Sequence, residues 1–441
     1  MNAGGAKARG HPVKLRRLAD GRSLDPAHLI ELLPPGGLTL VSSCSAESAL
    51  LADAVAAAGA ALGAMRFGGI FVPGVNRRVW LAGPDSRVVT FFMTPELAAV
   101  ADRVDFLPLC YADILAWLRV QRPAAALIMC SPPDDDGWCS FGSEAGFLAD
   151  LWPDIPIRIA HVNPAMPRTR GNRGIRFDAL TAFVTQDDPL LAVPAPRPDA
   201  LAQRLAAHVA AVVPDHATLQ TGVGKIPDAV LGALTTRRGL RLHSGLIGDG
   251  VLALLDAGAL ALDSPITAGV AIGSAALYAR LSEEAFQFQA VSVTHCEGVL
   301  RTIDPLVTIN SAIEVDLFGQ AFAEVGPAGL TSGPGGAADF ARGAGHGNGL
   351  RIIALPATAA NGARSRIVAA GAGTGPVSLA RADIDLVATE HGIADLRSRT
   401  HAGRAAALIA VAAPDHRAAL RAAWDQTLNQ LQPGSIRRDQ P

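Results

Sequence analysis

Thr218-Leu219-Gln220-Thr221-Gly222-Val223-Gly224-Lys225-Ile226-Pro227-Asp228-Ala229-Val230-Leu231 is the stretch that decides the fold. A short apolar run ends in two glycines, and a helical pattern starts around Pro227. Strand, glycine turn and helix in that order are the unit of an α/β protein. Backbone N–H groups at such a helix start suit an anion. The stretch is not a Walker loop, because Leu219 stands where the first Gly would be and Ile226 where Ser or Thr would be. Anion cradle and plain tight turn both remain open readings of this spacing.

The same unit occurs earlier. Thr39-Leu40 opens an apolar run, a turn of small residues follows, and Ser48–Ala58 has a helical pattern. Ala126-Leu127-Ile128-Met129 leads to a loop ending Asp136-Gly137, and Leu306-Val307-Thr308-Ile309 leads to Phe318-Gly319. Both offsets are roughly 180 residues, so duplication of one α/β unit is preferred over chance likeness. Between the halves lies Asp188–Pro198, with Pro at 189, 194, 196 and 198. Proline at that density blocks helix and ladder, which predicts a linker. The expected layout is a disordered tail over 1–20, an α/β domain over 21–188, a linker over 189–199, a second α/β domain over 200–430 and a tail over 431–441. Short runs such as Arg87–Phe92, Arg158–Val162 and Leu350–Leu355 are rich in Val, Ile and Leu and alternate with longer helical patterns. They predict mainly parallel strands buried on both faces, with ligands beyond the carboxyl ends.

Bulk composition narrows the function. The chain has 441 residues, a formal net charge of -2 and 5% aromatics. That balance offers no broad field for nucleic acid or a membrane surface and few stacking platforms. Cysteines stand at 44, 110, 130, 139 and 296, with no CxxC pair. A disulfide framework or zinc site is not expected, and a reducing cytoplasm fits. No apolar stretch after Met1–Arg17 reads as a signal, and Leu51–Met65 is too short and weakly apolar to span a bilayer.

Four loops could carry chemistry. Ser131–Ser140 holds Asp134, Asp135 and Asp136, which could take a divalent cation, but its composition favours a solvated turn. Gly222, Val223, Gly224, Lys225 and Ile226 form the loop quoted first. Ser332–Phe340 contains Gly333, Gly335 and Gly336, which let backbone approach a ligand and aim N–H groups at an oxyanion. In Gly239–Gly250 a strand is expected to end near Ser244, with Asp249 capping the helix that follows. Gly343–Gly349 reads as a flexible hairpin or loop.

Taken together, from about residue 37 to about 418, these segments resemble the acetyl-CoA hydrolase/transferase family of class I CoA-transferases. The motifs that carry the likeness include Ser131-Pro132-Pro133-Asp134, Met166-Pro167-Arg168-Thr169, Gly222-Val223-Gly224 with Ile226-Pro227-Asp228-Ala229-Val230, Ile309-Asn310-Ser311-Ala312, Gly335-Gly336 with Asp339-Phe340, and Thr389–Leu396. The resemblance implies two similar α/β domains with the active site between them, a homo-oligomer, no metal, and no cofactor beyond coenzyme A carried by the substrate. It implies partners that are an acyl-CoA and a small carboxylic acid. It also implies a ping-pong reaction, in which a Glu carboxylate attacks the thioester and a glutamyl-CoA passes CoA onward.

The nucleophile position falls in His243-Ser244-Gly245, so it is occupied by Gly245. Ser45-Ala46-Glu47-Ser48 also departs from the usual turn of Gly or Pro. Three explanations stand open. In the first, water is activated by another base, with His295, Glu297 and Glu390 as candidates. A displaced carboxylate such as Glu297 takes over transfer. Or the chain binds acyl-CoA without catalysis. Gly222–Ile226 and Gly333–Gly336 are the expected CoA and oxyanion loops, with Asn310 near the acyl group.

Overall fold

A computed structural model of the chain describes residues 23–195, 197–327 and 329–431. The predicted tail 1–20 and most of 431–441 lie outside the described residues. The apolar runs form two sheets. In the first, β1 (Leu38–Val41), β2 (Arg66–Gly69), β3 (Arg87–Thr90), β4 (Val104–Phe106), β5 (Ala125–Cys130), β6 (Ile157–Val162) and β7 (Ala182–Thr185) lie in the order β4-β3-β2-β1-β5-β6-β7, all parallel.

In the second, β8 (Thr218–Thr221), β9 (Arg241–Ile247), β10 (Ile266–Ala271), β11 (Phe286–Phe288), β12 (Leu306–Asn310), β13 (Leu350–Ala354), β14 (Leu386–Thr389) and β15 (Gly392–Asp395) lie in the order β11-β10-β9-β8-β12-β13-β14-β15. Only β15 runs antiparallel in that sheet. Strand for strand, the first seven follow the same order in both halves, which is the duplication expected from the offset. β5 is buried at all six positions, as a strand covered on both faces must be.

Local signals placed the helices. Ser48 caps Ala49–Ala58, its Oγ accepting from Leu51 N at 3.1 Å. Asp199 caps Ala200–Val212 in the same way. Asp249 departs from expectation: it precedes Gly250–Asp256 without capping it. Its carboxylate instead accepts from Ser274 N at 2.9 Å and from Ser274 Oγ. Part of the expected 343–349 loop is helical, because Ala337–Ala344 continues through Gly343.

The two halves are stitched by main chain. Ser143–Ala145 lies antiparallel to the end of β10, with Ala145 N donating to Gly269 O at 3.0 Å and Ala271 N to Ser143 O at 2.9 Å. Asn172 Nδ2 donates to Phe288 O at the end of β11. The linker is itself bonded, Val193 N donating to Gly273 O. One buried apolar cluster therefore runs from Leu40 and Ile128 through Phe147 and Phe288 to Leu219 and Ile309. A second surrounds the C-terminal helices His401–Val411 and Arg417–Leu431.

Candidate active site at the seam between the halves

Gly245 lies inside β9, not beyond it; the strand runs on to Ile247, past the end near Ser244 that the sequence suggested. An added Cβ there would stand 2.5 Å from His295 Nε2. The same nitrogen lies 2.5 Å from where a Cβ on Gly336 would be. One imidazole thus fills the space between these two glycines, and neither position accepts a side chain while it stays.

Thr294 Oγ1 lies 2.9 Å from His295 Nδ1. Tyr111 stacks on the ring with centroids 4.4 Å apart, and Phe340 meets it edge-on at 4.8 Å. Burial without any anionic partner pushes the imidazole down to about 3, with His243 adding a smaller push, so it is neutral at physiological pH.

Tyr111 comes from the first half and the other groups from the second. It heads the helix Tyr111–Gln121, and its N–H donates to Asp339 Oδ2 at 2.9 Å. Burial raises Asp339 to about 6. Gly335, at φ +60, and Gly336 precede the helix Ala337–Ala344. Gly333 is close-packed, its missing Cβ lying 2.5 Å from Phe91 O. The first-turn N–H groups of that helix have no partner inside it.

Gly222, Val223 and Gly224 are partly exposed at the end of β8, and Gly224 has φ +115, where L side chains are strained. Val223 and Gly224 line a cavity of about 280 Å³ shared with Val72–Val75, Val193 and Pro194. Asp228 and Asp249 also line it. Asp228 is pushed up to about 6 by burial. Lys225 points away to a surface ion pair with Asp199 at 3.0 Å, so its charge is already matched. Ile226 packs against the main core. Asn310 forms a reciprocal amide pair with Gln220 across β8 and β12, at 3.0 and 3.1 Å.

The proposed bases divide sharply. His295 is at the seam. Glu297 is half-exposed and ion-paired with Arg301. Glu390 accepts from Ala357 N at 2.8 Å at the end of β14, four strands from β9 and so roughly 19 Å away. Neither glutamate is gathered with Gly245. Asp134 closes its own turn, accepting from Trp138 N at 2.8 Å. Among the described residues no group of three or more His, Cys, Asp or Glu is placed to hold a metal. No helix among them is long and apolar enough to cross a membrane.

Sequence reasoning missed Tyr111 and Glu144. Glu144 is 6% exposed, and its two carboxylate oxygens accept from Ser43 N at 2.8 Å and Ser43 Oγ at 2.9 Å. Burial raises it to about 8. Its signal was a carboxylate in Gly142-Ser143-Glu144-Ala145-Gly146, flanked by the buried Phe141 and Phe147. Nothing local announced Tyr111.

Residues 273–424 match the model of the acetyl-CoA hydrolase/transferase C-terminal domain. The chain is 34% identical over 333 residues to the 4-hydroxybutyrate coenzyme A transferase of Clostridium kluyveri, covering 73% of this chain and 78% of that one. It is 33% identical over 342 residues to the succinyl-CoA:acetate/propanoyl-CoA:succinate CoA transferase of Fasciola hepatica, covering 74% and 70%. RipA from Yersinia pestis superposes with a TM-score of 0.85 at 26% identity, covering 94% of this chain and 99% of that one. The 4-hydroxybutyrate CoA-transferase of Porphyromonas gingivalis does so at 0.76 and 27%, covering 92% and 98%. The chain belongs to the acetyl-CoA hydrolase/transferase family of CoA-transferases.

Proposed function

We propose that this chain is an enzyme that takes a small acyl-CoA thioester at the seam between its halves and passes CoA to a carboxylic acid. The observation that carries the reading is the meeting of the Gly335-Gly336 helix start with Tyr111 and His295 across that seam. Donors for a developing oxyanion and a dry wall from the other half face one place, as thioester attack requires. The curated relatives named for CoA transfer support the class.

In this reading His295 is neutral and orients the acyl group as it packs against both glycines. Position 245 supplies no nucleophile, since glycine has no side chain and the imidazole stands beside it. The enzyme is cytoplasmic and homo-oligomeric, a placement supported by its five free thiols and by family precedent. CoA enters with the substrate.

Chromatography of CoA esters tests the function. The pure protein is incubated with a panel of acyl-CoAs, each with and without acetate. A new CoA ester that forms only with the acceptor is the expected result. Release of free CoA regardless of acceptor would replace transfer by hydrolysis, and survival of every ester would remove the catalytic reading.

A further inference from the structure

We infer that His295 is the nucleophile of the transfer, its Nε2 taking the acyl group in place of the side chain missing at Gly245. The inference rests on the function proposed above.

Position is the first argument. The Cβ that Gly245 lacks would stand 2.5 Å from Nε2, so the imidazole lies on the face of β9 toward which that side chain would point. Gly336, just before the helix Ala337–Ala344, meets the same nitrogen at an equal distance. Neither glycine puts a side chain over it. Tyr111 stacked on the ring and Phe340 edge-on to it hold its orientation.

The second argument is the state of that nitrogen. Thr294 Oγ1 donates to Ala290 O at 3.3 Å and lies 2.9 Å from His295 Nδ1. A hydroxyl has one proton. With that proton on Ala290 O, Oγ1 accepts from Nδ1–H, and the lone pair of the neutral ring is on Nε2. Among the described residues nothing bonds Nε2, and the sealed polar side-chain atoms without a partner are Thr39 Oγ1, Glu47 Oε2 and Arg366 Nε. Nε2 is not one of these, so it is open although the residue is only 3% exposed. A free, unprotonated imidazole nitrogen is a competent acyl acceptor. The carboxylates that could serve instead are committed: Glu144 to Ser43 through both oxygens, Glu297 to Arg301, and Glu390 to Ala357 N.

The step balances without water or a redox partner. Nε2 bonds to the acyl carbon, the carbon–sulfur bond breaks, and CoA leaves as thiolate with the electron pair. The product is an N-acylimidazolium whose Nδ1 proton stays in the bond to Thr294. The acceptor carboxylate attacks the acyl carbon, forms a mixed anhydride and returns the electron pair to Nε2. The thiolate then attacks the acceptor's carbonyl carbon in the anhydride. The first acyl group leaves as its carboxylate, and a new CoA ester remains.

The test is to incubate the wild type with an acyl-CoA that it turns over, omit the acceptor, quench in cold acid and read peptide masses. The expected result is a gain of the acyl mass, without CoA, on the peptide that holds His295. His295→Ala should lose the adduct and slow transfer about a thousandfold while still binding the CoA ester in equilibrium dialysis. Added imidazole should restore part of its activity, and pyrazole, a ring of the same size but a far weaker nucleophile, should not. A purely structural ring would be replaced equally well by either. A gain of CoA mass on any residue, an acyl gain elsewhere, no acyl gain, equal rescue by both rings, or unimpaired transfer by His295→Ala overturns the inference and leaves the proposed function standing. Failure of the wild type to consume any ester overturns both.

Discussion

β1 and β8 are equivalent strands of the two halves, each at the centre of its sheet, yet their carboxyl ends are opposites. Beyond β1 every residue from Ser42 to Ser48 is 3% exposed or less. Its polar groups are absorbed locally: Ser45 Oγ donates to Ser143 Oγ, Asn76 Nδ2 to Cys44 O, and Trp80 Nε1 to Glu47 Oε1. Beyond β8, Gly222–Gly224 is partly exposed and Val223 and Gly224 border a cavity. The closed end is a dry place that can hold a carboxyl group near neutrality. The open end offers backbone and space. Duplicated topology thus gives two switch points, and side chains decide which one closes and which one opens.

The largest effect that would break this contrast is a pH dependence of stability at the closed end. Burial raises the Glu144 carboxyl to about 8, so above the ordinary carboxylate range the folded chain binds a proton that the unfolded chain has released, and stability should fall as pH rises toward 8. Ser43→Ala should steepen that fall by removing a hydrogen bond that favours the charged form, and Glu144→Gln should flatten it, both read by urea melts from about pH 5 to 9. A wild-type stability that is flat over this range would contradict the closed-end assignment.

Next in size is Gly245→Glu, which forces His295 aside in a packed seam and should cost about 2–4 kcal/mol in urea melts. Gly245→Glu combined with His295→Ala should recover much of that loss, because the obstruction is one imidazole. Equal losses in the single and double variants would mean that the seam, not the ring, excludes a side chain.

At the open end, Gly224→Ala should cost about 1–3 kcal/mol through its positive φ and raise KM for the CoA ester more than it lowers kcat. Smallest is Asp339→Asn, at about 1 kcal/mol, since a charge-assisted bond to Tyr111 N becomes a neutral one.

Stability should also respond to His295. Its folded-state value of about 3 lies below the ordinary 6.5, so between those limits the unfolded chain binds more protons and stability falls as pH falls. His295→Phe should lower the acid-unfolding midpoint, read by circular dichroism.

Much of the architecture was legible. Runs rich in Val, Ile and Leu gave β3, β5, β6, β12 and β13, glycine turns gave the strand-to-helix joints, and the repeat gave two sheets of one order. Gly245 and His295 were both singled out from their motifs. What escaped was their mutual position: 50 residues apart in sequence, they touch because the segment 291–294 crosses the β9–β10 face. Asp249 looked like a cap because short-range chemistry favours caps, but the tertiary neighbour Ser274 offered two donors.

The sequence by itself determined the α/β class, the duplication and the family, because these follow from local periodicity and ordered motifs. The tertiary structure alone decided which glutamates belong to the seam. Glu144, Glu297 and Glu390 are equally plain acids in a string of letters; burial, the sheet extension at Ser143–Ala145 and the distance across strands separate them. A carboxyl group's reactivity is set by the water and charges around it, and those are fixed only when distant segments meet.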